Sequence, residues 1–170
     1  MRTTRGFSLI ELVLVILVTA ILGAMVAYGL GTGVTAWRTG SERLEAHGQI
    51  RFAMERMIRE LRAVRHDGAR YEFLARTANS VRFRKQEGAL LRTVALGVTA
   101  GTLEIAYDGG AAQPLARGVT SFRLDWLQAD GVTPATSDAD VAFVEITLGL
   151  TDAGGRTHLQ VGRAGLRRRG

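Results

Sequence analysis

The sequence predicts an α+β protein: a long N-terminal helix, membrane-spanning in its first half and amphipathic in its second, packed on an antiparallel β-sheet. Three observations carry this expectation. No charged side chain occurs from Leu12 to Trp37. Apolar residues then recur at helical spacing through residues 41–65. After residue 68 the period falls to two, and short runs alternate between apolar and polar positions.

The first run is long enough to cross a bilayer, whose hydrocarbon core needs about 20 residues. Arg2 and Arg5 precede it and Arg38 follows it. Basic residues beside a span tend to stay cytoplasmic. A short N-terminus inside is therefore expected, with the bulk of the chain on the far side of the inner membrane. Gly29, Gly31 and Gly33 interrupt the run. Each costs a helix about 1 kcal/mol relative to Ala. They mark a place where the helix bends or melts, although Gly29 and Gly33 also have the spacing of close helix packing in membranes. The flexible joint is the preferred reading.

The second helical segment places Ile50, Met54, Met57, Leu61 and Val64 on one stripe, with Ile58 beside them. The opposite face is charged, with Arg51–Glu55, Glu55–Arg59 and Arg56–Glu60 as i, i+4 pairs. His66-Asp67-Gly68 is expected to end it. Strands are expected where Val81 and Phe83 alternate with Arg82 and Arg84, over residues 89–96, around Leu103, Ile105 and Tyr107, around Phe122, Leu124 and Trp126, from Val144 to Leu150, and over residues 157–161. Period two with one polar face means half-buried antiparallel strands. Asp108-Gly109-Gly110, Asp130-Gly131 and Asp152-Ala153-Gly154-Gly155 are turn chemistry between them.

One residue breaks the apolar logic. Glu11 stands near the start of the spanning run, and a charge there is expensive unless it has a specific partner and a function. It lies about one helical turn beyond Phe7. A free amine at Phe7 would put a positive charge at the membrane edge, within reach of Glu11 on the same chain or on a neighbour. Three simpler readings compete. A secretory signal peptide disfavours a carboxylate in its apolar region and is usually shorter. A plain signal anchor makes Glu11 an accident, and Gly6 is then merely flexible. The basic leader, Gly6, Phe7 and Glu11 together, followed by an uninterrupted apolar run, form a motif that none of these explains.

At Gly6-Phe7-Ser8-Leu9-Ile10-Glu11-Leu12 the chain resembles the type IV pilin and type II secretion pseudopilin superfamily. The resemblance implies a leader of residues 1–6, removed between Gly6 and Phe7 by a membrane-embedded prepilin peptidase. It implies N-methylation of Phe7 by the same enzyme. It assigns Glu11 to neutralising the N-terminal amine of an adjacent subunit during assembly. Residues 7–36 then form the transmembrane and filament-core helix, 37–66 the amphipathic periplasmic helix, and 67–170 a globular β-sheet domain, in the lollipop shape of a pilin. Two further stretches, Arg51 to Arg62 and Pro114 to Phe122, resemble minor members, the J-type pseudopilins and W-type minor pilins.

Composition bounds the rest. The chain has 170 residues, a net charge of +6 and no cysteine. Disulfides and thiolate zinc sites are therefore excluded. Lys85 is the single lysine among 22 basic residues. Arg163, Arg167, Arg168 and Arg169 crowd the C-terminal end, read as a solvated tail. No enzyme is expected, because His47, His66 and His158 are scattered, read as surface residues, and no nucleophile elbow or phosphate loop occurs. No metal site is assigned. Calcium is the cofactor alternative, at Asp138 and Asp140 in Thr136-Ser137-Asp138-Ala139-Asp140. That ion wants six to eight oxygens, so a polar loop is preferred. Nucleic acid is the rival partner, through Arg82, Arg84 and Lys85 with Arg70, Arg76 and Arg92 near in sequence and Tyr71, Phe73 and Phe83 interleaved. Strand alternation turns Phe83 away from Arg82 and Arg84, which favours a solvated face.

The expectation is a minor pilin or pseudopilin, a structural subunit that helps initiate or cap a filament. Prepilin peptidase, sibling pilins and the inner membrane are its partners. A competence-type minor pilin that binds DNA, and a membrane-anchored periplasmic protein that never assembles, are the alternatives.

Overall fold

Residues 8–152 and 154–166 are described by the computed structural model. The chain forms two compact units, Met1–Ser41 and Glu42–Gly170. Helix α1 covers Leu9–Leu61. The backbone stays helical through Gly29, Gly31 and Gly33, so the expected melted joint does not form in this chain. There is no proline to interrupt the ladder, and the Thr32 hydroxyl donates to the carbonyls of Tyr28 (3.1 Å) and Gly29 (3.0 Å). The helix ends at Leu61 rather than at His66. Beyond it, Val64 bridges Lys85 and the Arg65 N–H donates to the Arg84 carbonyl (2.9 Å), so the chain leaves the helix to pair with a strand.

Among the described residues eight strands follow, all antiparallel to their neighbours: β1 Phe73–Arg76, β2 Ser80–Glu87, β3 Leu90–Thr99, β4 Thr102–Tyr107, β5 Gln113–Arg117, β6 Val119–Leu127, β7 Phe143–Thr151 and β8 Thr157–Gly165. The α+β class stands, but two sheets form, the meanders β1–β5 and β6–β8. Gly118 is the joint between them. Its φ is +69°, and a Cβ there would meet the Thr151 carbonyl oxygen at 2.9 Å. Only glycine tolerates both conditions. Strands β1 and β5 are additions to the sequence reading.

Period two decides which face is buried. Val81 and Phe83 of β2, Val94 and Leu96 of β3, and Leu103 and Ile105 of β4 point inward. So do Leu124 of β6 and Val144, Ile146, Leu148 and Leu150 of β7. The helix contributes Ile50, Ala53, Met54, Met57 and Leu61 to the same core. Full burial of each such large side chain is worth about 1.5–3 kcal/mol. Gly162 on β8 lets the helix come close, since a Cβ there would lie 3.2 Å from Ile58 Cδ1 and Met54 Cε.

One charged side chain belongs to this core. Glu60 was expected on the solvated helix face, yet it is 4% exposed. Its Oε2 accepts from Lys85 Nζ (2.8 Å), and its Oε1 accepts from the Tyr107 hydroxyl (2.8 Å) and faces Arg56 Nη2 at 3.1 Å. Arg56 Nη2 also donates to the Tyr107 oxygen (2.7 Å). This hydrogen bond to Tyr107 raises the Arg56 pKa. Burial, above all, raises the Tyr107 phenol from its usual 10. The phenol therefore stays neutral, and its contribution is complete below pH 10 and disappears as pH climbs through the raised value.

Lys85→Met leaves the Glu60 carboxylate buried with Arg56 and Tyr107 alone. We expect a loss of at least about 2 kcal/mol in chemical denaturation, because removing one partner of a buried ion pair is costly. Arg82→Met, on the exposed face of the same strand, should change stability by less than about 0.5 kcal/mol.

Candidate functional site

The start of α1 is built from three adjacent features. Ser8 precedes the helix and caps it: the Glu11 N–H donates to Ser8 Oγ (3.3 Å), and the Leu12 N–H to the Ser8 carbonyl (3.2 Å). Ser8-Leu9-Ile10-Glu11 has the Ser-x-x-Glu spacing of a capping box. That spacing was available in the sequence as a helix-start signal. Glu11 sits in the first turn, where the unpaired N–H groups of a helix favour negative charge. Its side chain is exposed, and among the described residues no basic group lies within ion-pair distance of it. Gly6 and Phe7, the expected cleavage and methylation positions, lie outside the described residues.

Behind Glu11 the helix is apolar on every side. Leu9–Gly33 is a 25-residue segment of mean hydropathy 2.8, and none of its most apolar window is buried within the chain. At 1.5 Å per residue it is about 37 Å long, enough to cross a hydrocarbon core of about 30 Å. Its threonine hydroxyls are satisfied internally, Thr19 donating to the Val15 carbonyl (2.7 Å) and Thr32 as described. Lipid demands this, because no water is present to take these donors.

The other candidate residues read from the sequence are dispersed. Arg82 and Arg84 project from the exposed face of β2, opposite Ala95 and Thr93 of β3. The structure does not bring Lys85 together with them. It faces the core side, 12% exposed, and holds Glu60. Phe83 is fully buried and Tyr71 nearly so, so these aromatics offer no stacking surface beside the arginines. Arg76 donates to Asp138 Oδ1 (2.6 Å) with its guanidinium 5.6 Å from the Trp126 ring centroid, and Arg92 is drawn to Glu87 and Asp108.

Asp138 and Asp140, the calcium alternative, turn to different partners. Asp138 is held by Arg76, and Asp140 accepts from Ser137 Oγ (2.6 Å). Among the described residues no group of three or more metal-ligating side chains is assembled. His66 and His158 are placed more deeply than a surface reading implies, while His47 is exposed as expected. His158 Nε2 lies 2.9 Å from Asp152 Oδ2, and its ring is edge-on to His47 with centroids 4.6 Å apart. His66 accepts from the Gly68 N–H (3.1 Å) and packs against Tyr71.

The family model described as the prokaryotic N-terminal methylation motif matches residues 1–27. The match covers the leader, Gly6, Phe7, Ser8, Glu11 and most of the apolar segment. It indicates an N-terminus of the type IV pilin or pseudopilin prepilin type, the kind that a prepilin peptidase processes. With the apolar helix it indicates membrane anchoring. No curated protein matches the chain.

The second unit carries one further feature of α1. Leu44 and Phe52 are exposed on the helix face turned away from the core residues Ile50, Met54 and Met57. Gly48 lies between them at i, i+4, i+8 spacing, and a Cβ at Gly48 would meet nothing within 4 Å. Glycine costs an exposed helix interior about 1 kcal/mol, and nothing among the described residues requires it there.

Proposed function

We propose that this chain is a minor pilin or pseudopilin, held in the inner membrane with its sheets in the periplasm, then drawn into a short filament or its initiating tip. One observation carries the reading: an exposed carboxylate, Glu11, in the capped first turn of a fully apolar helix, inside a matched methylation motif. In a dry helical bundle that carboxylate needs a cation. Cleavage between Gly6 and Phe7 supplies one, the new amine of a neighbouring subunit. Charge pairing then sets the axial stagger, while apolar side chains supply the bulk of the association. The exposed Leu44–Gly48–Phe52 face supports the same reading, because glycine between two large apolar residues lets another helix approach closely.

Intact-mass measurement of the chain recovered from membranes should show loss of residues 1–6 and one added methyl on Phe7. Recovery with Met1 and the full leader would favour an anchored protein that does not assemble. Glu11→Ala should insert and be cleaved normally yet fail to co-purify with sheared filaments or sibling subunits; normal incorporation would remove Glu11 from assembly.

Gly48→Leu should leave the isolated chain as stable as before or better, by up to about 1 kcal/mol, while reducing incorporation severalfold. Thermal unfolding and co-purification of the same variant separate the two effects.

A further inference from the structure

Four strand edges bound the two sheets, and three of them are closed to further pairing. Strand β1 carries a register shift at Phe73/Ala75, and Arg76 beside it is tied to Asp138. Strand β5 contains Pro114, which has no N–H, and its pairing with β4 shifts at Leu103/Glu104. Strand β6 is covered along its length. Its Val119 and Leu124 N–H groups donate to Gly101 and Ala78, its Trp126 carbonyl accepts from Ala135, and Leu127 bridges Pro134. Bulges, prolines and covering segments are the usual means by which a sheet edge avoids other chains.

Among the described residues, strand β8 has none of them. It pairs with β7 over nine consecutive residues without a shift. Just beyond its two ends, the Asp152 N–H donates to Arg156 (2.9 Å) and the Leu166 N–H to Ala142 (2.8 Å). In an antiparallel ladder hydrogen-bonded pairs alternate. His158, Gln160, Gly162 and Ala164 are therefore bonded to β7. Thr157, Leu159, Val161 and Arg163 turn their backbone N–H and C=O groups to the open edge. Leu159 and Val161 are 64% and 54% exposed.

We propose that β8 is a dimerisation edge that pairs antiparallel with β8 of a second copy of this chain, centred on Gln160. The sequence of the strand is complementary to itself in this register. Leu159 stands opposite Val161 of the second copy, and Val161 opposite its Leu159. Thr157 faces Arg163, whose charge is already held by Glu145 of its own chain at 2.7 Å. No like charges meet, which a cross-strand pair requires. Every hydrogen-bonded pair in this arrangement joins two residues whose backbone groups are open. The edge is about 30 Å long and covers less area than a stable soluble dimer needs. The pairing therefore relies on the raised effective concentration of chains held in one membrane. It rests on the geometry of the second unit and on anchoring of the chain in a membrane, and not on cleavage, methylation or the Glu11 pairing.

Because the protein has no cysteine, disulfide trapping reads the register directly. Full-length Gln160→Cys in membrane vesicles, under mild oxidation, should form disulfide dimer about tenfold faster than Val132→Cys, an exposed loop position. Val161→Pro added to Gln160→Cys removes one edge N–H without touching the β7 ladder and should abolish the excess. Equal trapping at positions 160 and 132, or trapping that survives Val161→Pro, overturns the proposal. If Gln160→Cys lowers the folded yield, the pair Thr157→Cys/Arg163→Cys tests the same register from the solvent face, with the same two outcomes.

Discussion

A single buried carboxylate constrains the globular unit more tightly than any apolar contact does. Glu60 is held by Lys85 from β2, Tyr107 from β4 and Arg56 from its own helix. Such a cluster adds little net stability over a well-packed apolar one, because desolvation offsets the attraction. What it does is penalise alternatives. Slipping β2 by one residue would turn Lys85 outward and bring Arg84 in, while sending Phe83 and Val81 into water. The helix has the same sensitivity, since a rotation that removes Glu60 from Lys85 and Tyr107 leaves it with Arg56 of its own helix alone. Register and helix orientation are thus fixed together, and every neighbouring strand inherits that register.

The two parts of α1 obey different solvents. In Leu9–Gly33 the side chains are apolar all round and the threonines bond to carbonyls one turn back. That is the pattern of a helix whose surroundings offer no hydrogen bonds. From Ile50 to Leu61 one stripe enters a core and the remaining positions carry charges such as Arg51 and Glu55, paired at 2.9 Å. Glu11 is the exception in the first part. It is tolerated at the helix start, where the cap and the helix dipole favour it, and its exposure leaves it available to a cation outside the described residues.

The sheet faces were legible wherever a strand carried two or more large apolar residues at period two. Strands β2, β4, β6 and β7 were read this way, and the residues the alternation named are buried or packed against the core, with Leu127 of β6 buried in addition. Strand β1, Phe-Leu-Ala-Arg, has too few residues for a period to register, and forms because Phe83 and Arg82 are there to pair with it. Strand β5 contains proline, which counts against a strand until its edge position is known. The same alternation that correctly buried Phe83 also buries Lys85, two residues on. Reading Lys85 with Arg82 and Arg84 as one basic row set residue type above face.

The order of residues alone was enough for the apolar helix, the carboxylate at its start, the amphipathic stripe and the α+β class. All of these are local, because hydrophobic period and turn chemistry act over a few residues. The division into two sheets, the depth of Glu60 and His158, the separation of Lys85 from the arginines, and the edge position of β8 came only with the folded chain. Each depends on pairing between residues far apart in the chain, and a charged or imidazole side chain takes its role from the partner that folding brings to it.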